Sequence, residues 1–387
     1  MSKSRRQSPV AVFGGLVSAG VLVAVLAFFW PEPVYKAGAH SFRVETYATG
    51  LEAPWGMAFL PDGRMLVTER PGNLRIVNTD GTVSEPIGGV PEVCACGQGG
   101  MMDVQLHPNY EENGWLYLAY SDRKDGSSRQ GFTAVMRARL EGMRLVDQND
   151  IYKAPQNLYA REGRHYGSRI VFDEAGYLYF TIGDRGQRKQ AQDLAVPNGK
   201  VHRLHDDGRI PEDNPFVGTP GAVPSIWSYG HRNPQGMDRH PETGALWATE
   251  HGPRGGDELN HVREGLNYGW PVITYGRNYS GTKITDITEK EGMEQPALHW
   301  TPSIAVCGIA FYDGDVFPDW QNNLFVTSLK FSEVRRVILD GTTVVDQEVL
   351  FEPGSRPRDV ITGPDGYLYI AVEAGPGRIV RLVPEDA

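Results

Sequence analysis

Cysteine is scarce: three in 387 residues, at positions 94, 96 and 307, too few for a disulfide framework. Positive charge is also short, with 38 Lys and Arg against 48 Asp and Glu and a formal charge of -10. No dense basic run lies outside the N-terminus, so nucleic acid is not expected as a partner. The motif C-x-x-C-H does not occur, which rules out c-type haem attached through it. What is abundant is Gly (46), Pro (27) and aromatic residues (10%), the composition of a turn-rich all-β protein. Cys94 and Cys96, one residue apart, either close a small-ring disulfide in an oxidising compartment or stay free, and Cys307 reads as a packed small hydrophobe.

Residues 1–30 differ from all that follows. Lys3, Arg5 and Arg6 precede an uncharged, mostly apolar run from Ser8 to Trp30, the pattern of an export signal or an N-terminal membrane anchor. Basic residues ahead of the run place the N-terminus inside and the body outside. The expected location is therefore exported, periplasmic in a Gram-negative cell, with anchoring through residues 8–30 as the alternative. Residues 31–40 are expected as a linker, with Ala37-Gly38-Ala39 as a candidate cleavage site.

From residue 41 onward a degenerate unit recurs: an apolar run, a turn of the Pro-Asp-Gly kind, then a second apolar run. The copies lie at 56–70, 102–121, 169–184, 236–250, 308–329 and 359–373. Each reads as a hairpin. Six hairpins, completed by flanking strands such as 74–77 and 377–383, predict a six-bladed β-propeller over residues 41–387. The alternating segment 41–50 is expected to close the ring as an outer strand beside 377–383. A pair of β-sandwiches is the competing architecture.

Four polar clusters sit at one phase of this repeat: GQGG (97–100), RHYGSR (164–169), GHRNPQG (230–236) and RPRD (356–359). Loops at one phase emerge on one face of a propeller, near its axis. His165, in a glycine-bounded loop before a strand, is the candidate general base. Arg232, Lys330, Arg356 and Arg358 would aim positive charge at one point, a cage for an anion with several carboxylates. Asp257, Glu258 and Tyr268 offer oxygen ligands for calcium. Each feature taken singly is more often a surface charge or turn residue.

The motifs GQGG, HYGSR, WSYGHRNPQGM, EHGPRGGDELN, GLNYGWP, GRNYSG, SLK and RPRDV resemble those of soluble aldose sugar dehydrogenases that use pyrroloquinoline quinone, over about Leu51 to Val383. The resemblance implies a six-bladed propeller, a monomer, an aldose substrate oxidised at C1 to a lactone, and an external electron acceptor. It implies that His165 takes the proton from the anomeric hydroxyl. It implies that Gln98, Arg232, Asn233, Tyr279, Lys330, Arg356 and Arg358 hold the quinone. The carbonyls of Gly252 and Pro253 would bind a calcium ion at the quinone, and Glu258 and Tyr268 would bind a second, structural one. Arg164 ahead of the base and the Cys94-Ala95-Cys96 segment depart from the usual pattern. A propeller lactonase and a non-enzymatic glycan- or protein-binding propeller are the rival readings.

Overall fold

The computed structural model describes residues 33–385, except 128 and 162. The expected signal or anchor segment lies outside them. Among the described residues no helix is long and apolar enough to cross a membrane.

Six antiparallel sheets follow one another along the chain. Blade one comprises Pro54–Phe59, Met65–Glu69 and Asn73–Val77; blade two Met101–Leu106, Trp115–Arg123, Gly131–Glu141 and Arg144–Tyr152. Blade three runs Ile170–Phe172, Leu178–Ile182, Lys200–Leu204 and Ile226–Tyr229, and blade four Pro234–Arg239, Leu246–Glu250, Asp257–Val262 and Leu298–Trp300. Blade five holds Val306–Phe311, Leu324–Ser328, Glu333–Asp340 and Thr343–Phe351. Blade six joins Arg356–Thr362, Leu368–Glu373 and Gly377–Pro384 to His40–Leu51 from the other end of the chain. The ring closes there as expected, with Val44 opposite Leu382 and Thr46 opposite Val380.

Within the expected linker at 31–40, the described residues 33–40 are different in the structure. Val34–Ala37 forms an edge strand beside His40–Leu51, with Tyr35 stacked on Phe42 and Gly38 at φ +58° in the turn between the two strands. The apolar alternation of this short stretch finds a sheet edge to cover, which composition alone does not reveal.

Most of the core is divided among six interblade clusters, each built from the facing sides of neighbouring blades, and Trp55, Met102 and Tyr166 form a smaller seventh. This explains why the second strands LYFTI, LWATE and LFVTS are buried at every residue: both sheet faces are covered, so polar alternation disappears. Threonines in these strands register one blade against the next. Thr181 Oγ1 donates to Pro234 O at 3.0 Å and Thr249 Oγ1 to Cys307 O at 2.7 Å. The glycine that opens several repeats has a packing cause. A Cβ on Gly236 would lie 2.1 Å from the carbonyl oxygen of Cys307, because inner strands converge at the axis.

Candidate active site

Loops that enter the inner strands bring Gln98, His165, Asn233 and Arg358 to one end of the axis. His165 has φ +56°, a conformation that a non-glycine residue keeps only when its surroundings dictate it. Its N–H donates to Gln98 Oε1 at 2.7 Å, and two residues on, the N–H of Gly167 donates to Asn233 Oδ1 at 3.1 Å. The ring nitrogen Nδ1 lies 2.6 Å from Oδ1 of Asp184, and Oδ2 of Asp184 accepts the Trp270 indole N–H at 2.8 Å. Asp184 is fully buried, two residues past the end of the second strand of blade three. Its carboxyl sits below the usual range because the His165 hydrogen bond, the Arg232 charge and the Gly186 N–H outweigh the burial that pushes it up. With Nδ1 committed, Nε2 of His165 makes no hydrogen bond among the described residues and is the nitrogen left to take a proton. Burial lowers the His165 pKa, Asp184 opposes the shift, and Arg232 and Arg164 add to it. The neutral ring is thereby favoured, as a base requires.

A cavity of about 250 Å³ is lined by Trp55, Arg70, Gln98, Asn233, His251 and Arg358, among others; His165 is not itself in the lining but is joined to it through Gln98, which accepts its N–H, and Asn233, which accepts that of Gly167. The floor of the cavity is a buried ionic plug. The Arg169 guanidinium lies 4.3 Å from the Trp55 ring centroid, donates to Gln235 O at 2.7 Å and to Arg358 O at 3.1 Å, and pairs with Asp103 at 3.2 Å and Asp359 at 2.8 Å. Two polar atoms around the cavity are buried and without a protein partner: Nε2 of His251 and Nε of Arg358. Burial, then Arg232 and Arg358, hold His251 neutral, well below its ordinary pKa. Orphaned buried polar atoms are costly unless something else satisfies them.

The structure sorts the residues expected to form the cage. Gln98, Asn233, Arg356 and Arg358 line the cavity. Arg232 lies behind it, buried, with its N–H on Glu250 and its Nη1 on His251 O at 2.7 Å. Lys330 does not line the cavity; its ammonium sits at the surface, 3.0 Å from Ser303 O, while neighbouring Leu329 reaches inward. Tyr279 is 73% exposed on a loop, outside the cavity lining. Nor is the cage purely cationic. Glu373, facing Arg356 across the sheet, receives Arg358 at 2.6 Å and Arg356 at 3.3 Å.

Gly252 and Pro253 are buried next to His251. Asp257 holds the turn by accepting the Gly252 N–H at 2.8 Å and that of Ala305 at 2.6 Å. Among the described residues no protein donor reaches the carbonyls of Gly252 or Pro253. Glu258 faces Glu250 across a strand pair, and its pKa is raised well above the ordinary carboxylate value by burial first and by Glu250 second. Asn260 donates to both carboxylates, while its own Oδ1 is buried without a partner. The Tyr268 hydroxyl is committed, donating to His261 O at 2.6 Å and accepting the Arg263 N–H, so only its main-chain carbonyl is left for a cation. Cys94 and Cys96 form a disulfide, and Cys307 is buried and free.

Asp184, Trp270, His251, Glu373 and Asn260 are the partners that reading the sequence missed. The one signal for Asp184 is its phase: TIGD runs past the end of the second strand of its blade as TEH (249–251) does in the next, which places it on the same face as His165.

Residues 51–381 match the family model described as Glucose / Sorbosone dehydrogenase. The chain belongs to this family. It is 42% identical over 371 residues to the aldose sugar dehydrogenase YliI of Escherichia coli (strain K12), with 94% of this chain and 97% of the relative covered. Among solved structures, the apo soluble aldose sugar dehydrogenase from Escherichia coli superimposes with a TM-score of 0.85 at 42% identity, covering 89% of this chain and all of that one. The PQQ-bound form of the aldose sugar dehydrogenase from Streptomyces coelicolor does so with a TM-score of 0.73 at 27% identity, covering 90% of this chain and 100% of that one. As a member of the glucose/sorbosone dehydrogenase family the chain is an oxidoreductase acting on sugars, and its six-bladed propeller agrees with these structures.

Proposed function

We propose that this family member is a calcium-dependent quinoprotein aldose dehydrogenase, exported and monomeric, that oxidises the C1 hydroxyl of an aldose to the lactone and passes electrons to an external acceptor. The observation that carries the reading is the His165–Asp184 pair at 2.6 Å, joined through Gln98 and Asn233 to a cavity with unsatisfied buried polar atoms.

The residues present fit the implied cofactor. Arg358, Arg356 and Asn233 offer donors to carboxylates and carbonyls, and the orphaned Nε atom of Arg358 gives a polyanionic planar ligand something to satisfy. The carbonyls of Gly252 and Pro253, with no protein donor, suit a hard cation. When bound, pyrroloquinoline quinone with calcium supplies the hydride acceptor and the Lewis acid of the reaction. The protein's part is to orient the sugar and move its proton. Nε2 of His165 takes the proton of the anomeric hydroxyl while Asp184, fixed by Trp270, holds the imidazole tautomer and steadies the charge that develops. Arg169, Asp103 and Asp359 close the axis below and keep the site one-ended. Asp103 and Asp359 are each paired with Arg169, so a metal of the kind an axial hydrolase site requires would have to compete with that guanidinium, although the two carboxylates also line a separate cavity of about 430 Å³ with Asp238 and Asp313.

Glu258 with the Tyr268 carbonyl would form the second calcium site, to which Glu250 and the unpartnered Oδ1 of Asn260 add oxygens.

The test is reconstitution. Apoprotein mixed with pyrroloquinoline quinone and calcium should gain a quinone absorption band that bleaches when an aldose is added. A band that persists with every aldose in a panel, while an artificial dye acceptor stays unreduced, would refute the activity.

A further inference from the structure

The Cys94–Cys96 disulfide lies two residues ahead of Gln98, and its surroundings lead straight to His165. On one side Cys94 is anchored to the fold. It is buried, its N–H donates to Ser121 O at 2.8 Å, and its carbonyl accepts Ser121 Oγ at 2.6 Å. On the other side Cys96 Sγ is 3.4 Å from the hydroxyl of the fully buried Tyr166. Beyond the bridge the loop presses on the one that carries His165. Gly97 has φ +64°, and a Cβ there would lie 2.1 Å from Gly163 O; a Cβ on Gly163 would lie 2.6 Å from Cys96 O. Only glycine permits two backbones to approach so closely. Gln98 N–H then donates to Gly163 O at 2.7 Å, and Gln98 Oε1 accepts the N–H of His165 at 2.7 Å.

His165 holds a left-handed conformation, which persists only where the surroundings over-determine it. The contact that fixes its N–H comes from a side chain two residues beyond the bridge. Ser121 on blade two anchors Cys94, the disulfide anchors Cys96, and Cys96, Gly97 and Gln98 together set the backbone of 163–165. A bridge closing so short a loop removes little entropy from the unfolded chain, so its effect is local rather than global.

We propose that the Cys94–Cys96 disulfide is a positioning clasp for His165, so that opening it by a dithiol lowers turnover without unfolding the propeller or emptying the cofactor cavity. This rests on the reading of His165 as the base. In the opening step the S–S bond breaks and two S–H groups form; the two electrons and two protons come from the dithiol, which closes to its own cyclic disulfide.

The experiment compares four full-length samples: the parent, the parent reduced with dithiothreitol and freed of it without air, Cys94→Ser/Cys96→Ser, and His165→Ala. Alkylation followed by intact mass counts thiols in the folded protein, where buried Cys307 should stay unlabelled. Two labels are expected to appear on reduction. Amide hydrogen exchange in the segment 163–168 should rise by about tenfold or more in the reduced and double-variant proteins, with the blade strands unchanged. The turnover number should fall by on the order of 10- to 100-fold, as for a misplaced catalytic group. The KM for sugar and the quinone affinity of the apoprotein should change by much less than the turnover number, since Gln98 is one of several groups that line the cavity and Asn233, Arg356 and Arg358 do not depend on the bridge. Reoxidation should restore the reduced parent. The clasp is overturned if the reduced parent and the double variant turn over and exchange like the oxidised parent. It is equally overturned if two labels appear before reduction, or if turnover is lost together with quinone binding and the melting temperature. Parent-like turnover in His165→Ala would remove the base assignment itself and the clasp with it. Loss in His165→Ala with none in the double variant would remove the clasp alone.

Discussion

Nδ1 of His165 and Oδ1 of Asp184 stand 2.6 Å apart although they belong to different loops, and the far oxygen of the carboxylate is tied to Trp270. One nitrogen of the ring is thereby committed and the other left to take a proton. His165→Ala should lose turnover by on the order of 10²–10⁴-fold, the usual contribution of a positioned base, and keep quinone affinity. Asp184→Asn should fall between it and the parent, because the ring stays in place but loses its orienting charge. Steady-state kinetics at saturating quinone check both, and an unimpaired Asp184→Asn would show that the pair has no part in the chemistry.

The pKa of His165 lies below its ordinary 6.5 because burial outweighs Asp184. In the apoprotein its ring should therefore titrate below that value by NMR. Arg164 is among the charges that press it down, so Arg164→Gln should move the midpoint up, toward 6.5. A downward shift in this variant would contradict the electrostatic account.

Arg356 and Arg358 share Glu373 but differ in depth. The Arg358 side chain is 8% exposed and that of Arg356 52%. Arg358→Ala should weaken quinone binding by about 2–5 kcal/mol, as for a desolvated charge pair. Arg356→Ala should cost about 0–1 kcal/mol, as for a screened surface pair. Quinone titrations at fixed calcium decide it, and equal losses in the two variants would show that depth does not set their roles.

Glu258 is held protonated more readily than an ordinary carboxylate by burial and by Glu250. A cation bound there must displace that proton. Calcium should therefore raise the melting temperature of the apoprotein, the rise should shrink as pH falls through the elevated pKa, and Glu258→Gln should abolish most of it. A calcium-induced shift of the same size at about pH 8 and about pH 5 would be inconsistent with proton displacement at this carboxyl.

Much of this was written in the chain itself. The six repeats, their hairpin turns and the strand 41–50 that closes the ring are local patterns, because paired apolar runs joined by a turn of the Pro-Asp-Gly kind are written along the backbone whatever the distant partners are. Loops at one phase of a propeller share a face, and Gln98, Asn233 and Arg358 meet in one cavity lining, with His165 joined to it through Gln98. The sequence also offered a disulfide or two thiols at positions 94 and 96, and the structure holds the disulfide.

Tertiary structure decided the rest. That Asp184 meets His165, that Glu373 tempers two arginines, and that Nε2 of His251 is left without a partner all depend on side chains from separate strands converging at the axis, where spacing along the chain carries no information. Lys330 and Tyr279 carry the right chemistry in the right motifs, yet the loops turn both toward solvent. Periodicity is a property of neighbours along the backbone and survives in the sequence; a hydrogen bond between blades is set only when the closed ring fixes how far apart its inner strands can stand.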